Sequence, residues 1–119
     1  MENLISLLFL ARDLAHREHL KTKSFAQHMA LGSFYLEIVE NADAIAEAYQ
    51  GQYGLMKNLE ILGFKSSRDN IVTELQAQVK WIKDNRYKIC GKDDTPIQNL
   101  IDTVVETYLS TLYKLRFLN

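Results

Sequence analysis

Apolar residues recur at the three- and four-residue spacing of an amphipathic helix in four separate stretches of this chain. In the first, about residues 3 to 20, Leu4, Leu7, Leu8, Ala11, Leu14 and Ala15 share one face. Ile5 and Phe9 widen that stripe, which predicts burial on more than one side, as at an oligomer interface. The second begins at Ser24, with Gln27 three later in capping-box spacing, and is expected to run to about Tyr49 and stop at Gln50-Gly51. Its broad face carries Phe25, His28, Leu31, Tyr35, Ile38, Ala42, Ile45 and Tyr49. Ser66 or Ser67 can cap the third, which runs to about Ile89 with Ile71, Val72, Leu75, Val79 and Ile82 as its buried stripe. Trp81 falls off the centre of that stripe, at an edge or interface. The fourth has the clearest start: Thr95 as N-cap, Pro96 at the first position, Gln98 completing a capping box. Ile97, Leu100, Ile101, Val104, Tyr108, Leu112 and Leu115 form its apolar face, and Tyr108 and Tyr113 read as core or rim residues.

Four helices with one apolar face each predict an all-α four-helix bundle in one domain, residues 1–119. Residues 51 to 66 form the long connection between the second and third helices, punctuated by Gly51, Gly54 and Gly63. Within it Leu55, Met56, Leu59 and Leu62 have the spacing of a short amphipathic helix; a plain packed loop is the alternative.

Composition narrows the function. A formal net charge of −1 supplies no basic field for non-specific DNA binding. Cys90 is the single cysteine, so no intrachain disulfide forms, in keeping with a cytoplasmic protein. The apolar run Leu4–Leu10 follows Glu2, lacks a basic flank and is too short to span a membrane. There is no Gly-rich phosphate loop, no Gly-x-Ser-x-Gly elbow and no Cys-x-x-Cys pair.

Candidate chemistry lies between His16 and Glu47. His16, His28, Asp43 and Glu47 are donors that suit iron, manganese or zinc. Asp43 and Glu47 lie one helical turn apart on one face. On one straight helix His28 and Asp43 stand about 22 Å apart, too far to share an ion within one chain. Two such helices, antiparallel about a two-fold axis, would bring His28 of one chain to Asp43 of the other. Taken singly, each residue has a plainer use: His28 as a hydrogen-bonded core histidine, Asp43 and Glu47 as a solvated face, His16 and His19 as dipole-favoured residues at a helix C-terminus. For His19 alone that plainer use is the better reading, with an outer or substitute ligand as the alternative.

The spacing His16, twelve to His28, fifteen to Asp43, four to Glu47 resembles that of the Dps family, the mini-ferritins. Lys23-Ser24-Phe25-Ala26-Gln27-His28 resembles that family's junction between its first two helices. The wording of His19–His28 and Ala46–Gly51 further resembles small ferritin-like proteins encoded by bacteriophages. The specific likeness covers the first half of the chain. It implies a ferritin-like bundle with a crossover carrying a short helix, and a ferroxidase centre shared across a dimer. The His pair would come from one subunit and Asp43 and Glu47 from its neighbour, with Fe(II) oxidised by peroxide or oxygen. A homo-oligomer is implied, at least a dimer and up to a dodecamer, in the cytoplasm, or the host cytoplasm if phage-encoded. Zinc or manganese in a structural role is an alternative. So is a non-catalytic helical interaction protein acting on a host protein, with the metal chemistry lost. Arg17 follows the first His where the family usually has Trp, and Gly32 stands where it often has an acidic residue. The Lys-rich tail of DNA-binding members is absent, so DNA binding is not carried over. No Glu-x-x-His occurs, which argues against a di-iron site inside a single bundle.

Overall fold

In the computed structural model, which describes residues 1–63 and 70–118, four helices carry the chain: α1 (Glu2–Lys21), α2 (Phe25–Tyr53), α3 (Ile71–Ile89) and α4 (Thr95–Phe117). α1 packs on α2 and α3, and α4 packs on the same two, so α1 and α4 occupy one diagonal of the bundle and α2 and α3 the other. The connection after α2 travels back along α1. Ser6 Oγ donates to the Glu60 carbonyl at 2.6 Å, and Leu62 shares a shallow cavity with Leu10, Asp13 and Arg17. α3 therefore starts beside the end of α1 and the start of α2, where Asn70 and Ile71 share a cavity with Glu18 and Gln27. It runs parallel to α2. Tyr53 at the end of α2 donates to Asp94 just before α4, which then runs back. The bundle is thus up, down, down, up.

The core is the meeting of the four stripes. Leu4, Leu8, Leu31, Phe34, Ile38, Ile45, Leu75, Ile82, Ile101 and Tyr108 are buried at its centre. Each large aliphatic or phenyl group so buried contributes about 1.5–3 kcal/mol. Ile5 belongs to this core. Phe9 and Leu7 pack partly buried against it, so much of the wide stripe of α1 is used within the chain.

Several boundaries differ from the expectation. α2 continues through Gly51 to Tyr53 and ends at Gly54, whose φ of 95° is the left-handed region that glycine enters without strain. Residues 54–63 contain no helix, correcting the expected short helix at Leu55–Leu62. Side chains of the bundle take backbone groups here that a short helix would use itself: Met56 N donates to Gln50 Oε1 at 3.1 Å, and the Glu60 carbonyl accepts from Ser6 Oγ. Leu55 and Ile61 stay exposed. Asn70, not a serine, caps α3, accepting from Thr73 N at 2.9 Å; Ser66 and Ser67 lie outside the described residues. Thr95 is the first residue of α4, with Asp94 at the cap position and no side-chain cap bond. Gln98 is turned inward. Its Nε2 donates to the Arg86 and Cys90 carbonyls at 3.1 Å, the first of which also accepts from Cys90 N at the end of α3. Its Oε1 accepts from Arg86 Nε at 2.9 Å, and burial pushes the neighbouring Cys90 thiol upward.

Candidate metal centre

Three imidazoles converge where α1 gives way to α2. The turn between them is held by side chains. Ser24 Oγ accepts from Gln27 N at 3.2 Å, and Thr22 Oγ1 accepts from Ser24 N at 3.1 Å and donates to Gln27 Oε1 at 2.8 Å. This turn sets His28, in the first turn of α2, against His19, in the last turn of α1. Their rings stack with centroids 3.7 Å apart and 18° between planes. His19 Nδ1 lies 2.7 Å from the His28 carbonyl, and His28 Nδ1 lies 2.8 Å from the His19 carbonyl. A carbonyl oxygen only accepts, so each Nδ1 carries the proton and each Nε2 keeps its lone pair. Metal-ligating histidines have this arrangement, one ring nitrogen donating to a carbonyl and the other left for the ion.

Gly32 makes the stack possible. A Cβ there would stand 3.1 Å from His19 Cε1 and 3.2 Å from His19 Nδ1. His16 lies 6.2 Å from His19 between ring centroids and stacks on Tyr35 at 4.3 Å. Tyr35 also receives His19 edge-on at 5.4 Å and the Arg12 guanidinium at 5.6 Å.

The carboxylates are elsewhere. α2 runs unbroken from Phe25 to Tyr53, so Asp43 lies about 22 Å from His28 along the axis. Asp43 and Glu47 are exposed and have no hydrogen bond or ion pair among the described residues. Among those residues, no group of three or more His, Cys, Asp or Glu in one chain is placed to hold a metal ion. The four candidates are thus two half-sets, imidazoles at one end of α2 and carboxylates past its middle.

The face of α2 turned away from the core is apolar. Phe25, Met29, Leu36 and Val39 are exposed there, Phe25 by 77% and Leu36 by 64%. Phe25, grouped by sequence with Leu31, Ile38 and Ile45 on one broad face, stands apart from them on this exposed side, and Phe34 is buried in the core. The exposed stripe runs at helical spacing into Asp43 and Glu47. Leu36 stands eleven residues from both Phe25 and Glu47, next to the midpoint between His28 and Asp43.

Residue patterns missed the reciprocal His19–His28 pair and the parts of Gly32 and Tyr35. One signal was there: His19 and His28 are equally spaced about the Lys23–Ser24 junction.

A family of unknown function, DUF5856, has a model that matches residues 19–115. The chain belongs to that family. The matched segment contains His19, His28, Asp43 and Glu47 and begins after His16. No curated protein and no solved structure matches the chain. Among the described residues, no helix is long and apolar enough to cross a membrane.

Proposed function

We propose that this member of DUF5856 is a Dps-like, ferritin-like protein that binds Fe(II) as substrate at a site shared between two subunits and oxidises it. The observation that carries the reading is Leu36, exposed at the centre of the apolar stripe and near the midpoint between His28 and Asp43. Two copies of α2 crossing antiparallel near Leu36 bury Phe25, Met29 and Leu36 against one another. The same crossing brings each His28 to the partner subunit's Asp43. The donors fit an iron ion: His28 keeps Nε2 for a ligand, while Asp43 and Glu47 are ionisable oxygens with no other partner. His16 and His28 hold the ion from one side, and the partner's Asp43 and Glu47 supply negative charge that favours the ferric state. Peroxide or oxygen takes the electron. Zinc or manganese in the same ligands gives a structural variant of this site. The larger Dps-like assembly, up to a dodecamer, belongs to the same proposal.

A second reading is a non-catalytic interaction bundle that has lost metal chemistry. The reciprocal His19–His28 bonds favour it, since they give both rings a structural use.

Mixed dimers decide between the readings. One chain carries His16→Ala and His28→Ala, the other Asp43→Ala and Glu47→Ala. Each variant alone assembles two half-built sites and should bind little iron. A mixed dimer has one complete site and one with no ligands, so it should hold about half the wild-type iron. Wild-type dimers that bind and oxidise iron while verified mixed dimers do neither would refute the shared site. Wild-type protein that is monomeric, or takes up no metal, would favour the second reading.

A further inference from the structure

A sizeable cleft lies at the end of the bundle away from the histidines and has no part in the proposed iron chemistry. It is a cleft of about 710 Å³ between the start of α1, the end of α2, α3 and the returning connection. That volume suits a ligand of ordinary small-molecule size. Its aromatic lining is Tyr49, Tyr53 and Trp81, from two different helices. Tyr49 and Tyr53 stand 4.9 Å apart between centroids, with 44° between their planes, so the two rings form an angled wall and not a closed stack. The Tyr53 hydroxyl is committed to Asp94, which leaves its ring as the surface offered to the cleft.

Glu2, Lys57 and Glu60 line the cleft. The Glu2 carboxylate is paired with the N-terminal ammonium at 3.7 Å, which leaves the Glu60 carboxylate without an ion pair among the described residues. The connection that closes the outer side is fixed, because Ser6 Oγ holds the Glu60 carbonyl and Gln50 Oε1 accepts from Met56 N at 3.1 Å. Three aromatic rings and the Glu60 carboxylate around one pre-formed space attract an ammonium ion carried on a hydrocarbon body. The ring quadrupoles and the carboxylate both stabilise positive charge, and Leu7 and Leu55 in the lining receive the body.

We propose that this cleft binds a small organic ammonium ion, at a site independent of the histidine and carboxylate sets. Two sources share the chemistry, quaternary amines and polyamines, so choline and spermidine are the probes.

Trp81 is the only tryptophan in the chain and lines the cleft, so its emission reports occupancy directly. The full-length protein is titrated with choline, with spermidine, and with the neutral carbon analogue of choline, and affinities are checked by calorimetry. A saturable response to at least one cation, with the neutral analogue at least about fivefold weaker, is expected from one cation–π contact. Tyr49→Leu, which keeps apolar bulk and removes the ring, and Glu60→Gln, on the exposed connection, should each weaken binding about five- to tenfold. Circular dichroism confirms that both variants fold. Which cation binds more tightly identifies the source. Equal binding of the neutral analogue, no saturable binding of either cation, or wild-type affinity in folded Tyr49→Leu and Glu60→Gln overturns the assignment.

Discussion

Replacing Gly32 by alanine should have opposite effects on stability depending on the residue at position 19. Within a helix interior, Gly→Ala ordinarily stabilises by about 1 kcal/mol through backbone entropy. Here the new Cβ would sit 3.1 Å from His19 Cε1 and 3.2 Å from Nδ1, and apart from the surrounding turns of its own helix no other described heavy atom comes within 4 Å of it. The His19 ring has little room to give. Its far side is stacked on His28 at 3.7 Å, and its Nδ1 is tied to the His28 carbonyl at 2.7 Å. Displacing the ring loses one neutral hydrogen bond, about 1 kcal/mol, and the ring stack, about 0.5–1.5 kcal/mol. The two effects sum to a net loss of about 0.5–1.5 kcal/mol for Gly32→Ala alone. In a His19→Ala background the obstacle is gone, and the same change should stabilise by about 1 kcal/mol. The coupling between the two sites is thus about 1.5–2.5 kcal/mol. Urea denaturation followed by circular dichroism measures all four proteins, at one fixed protein concentration because any dimer adds concentration-dependent stability. If Gly32→Ala stabilises equally in both backgrounds, the His19 ring is not held where described, and the account of the histidine junction fails.

The remaining predictions concern groups at the far end and in the core. The bond from Tyr53 to the Asp94 carboxylate pushes the phenol up to about 12 from 10.0. With the folded value above the unfolded one, this contribution is complete below about pH 10 and is lost as pH rises through about 12. Asp94→Asn should make one more tyrosine titrate near its ordinary value of about 10 in the near-ultraviolet absorbance, and an unchanged titration would contradict the bond. Tyr108 is fully buried and donates to Gln78 Oε1 at 2.8 Å, while Gln78 Nε2 is buried without a partner among the described residues. Tyr108→Phe should cost about 1–3 kcal/mol in urea denaturation, and adding Gln78→Met should recover most of it by removing the stranded acceptor and the orphan donor together; a double variant weaker than Tyr108→Phe would refute this.

The sequence by itself determined the four helices and most of their buried faces, because helical periodicity is local: Leu75, Val79 and Ile82, or Ile101, Val104 and Tyr108, fall on one side of any helix built from them. It also determined that His28 and Asp43 cannot meet within one chain, since the rise per residue is a constant of the helix. What needed the tertiary structure was every partner chosen from another element. Gln98 has the spacing of a capping box, yet its amide turns to the Arg86 and Cys90 carbonyls at the end of α3 beside it, partners that only the packing of α4 on α3 supplies. The connection has the apolar spacing of a short helix, but Gln50 and Ser6, on other elements, take its backbone groups at Met56 and Glu60. The histidines show the division most clearly. Their spacing was plain in the sequence, but the stack of His19 on His28 and the Nε2 each ring leaves free follow from two helices meeting over Gly32.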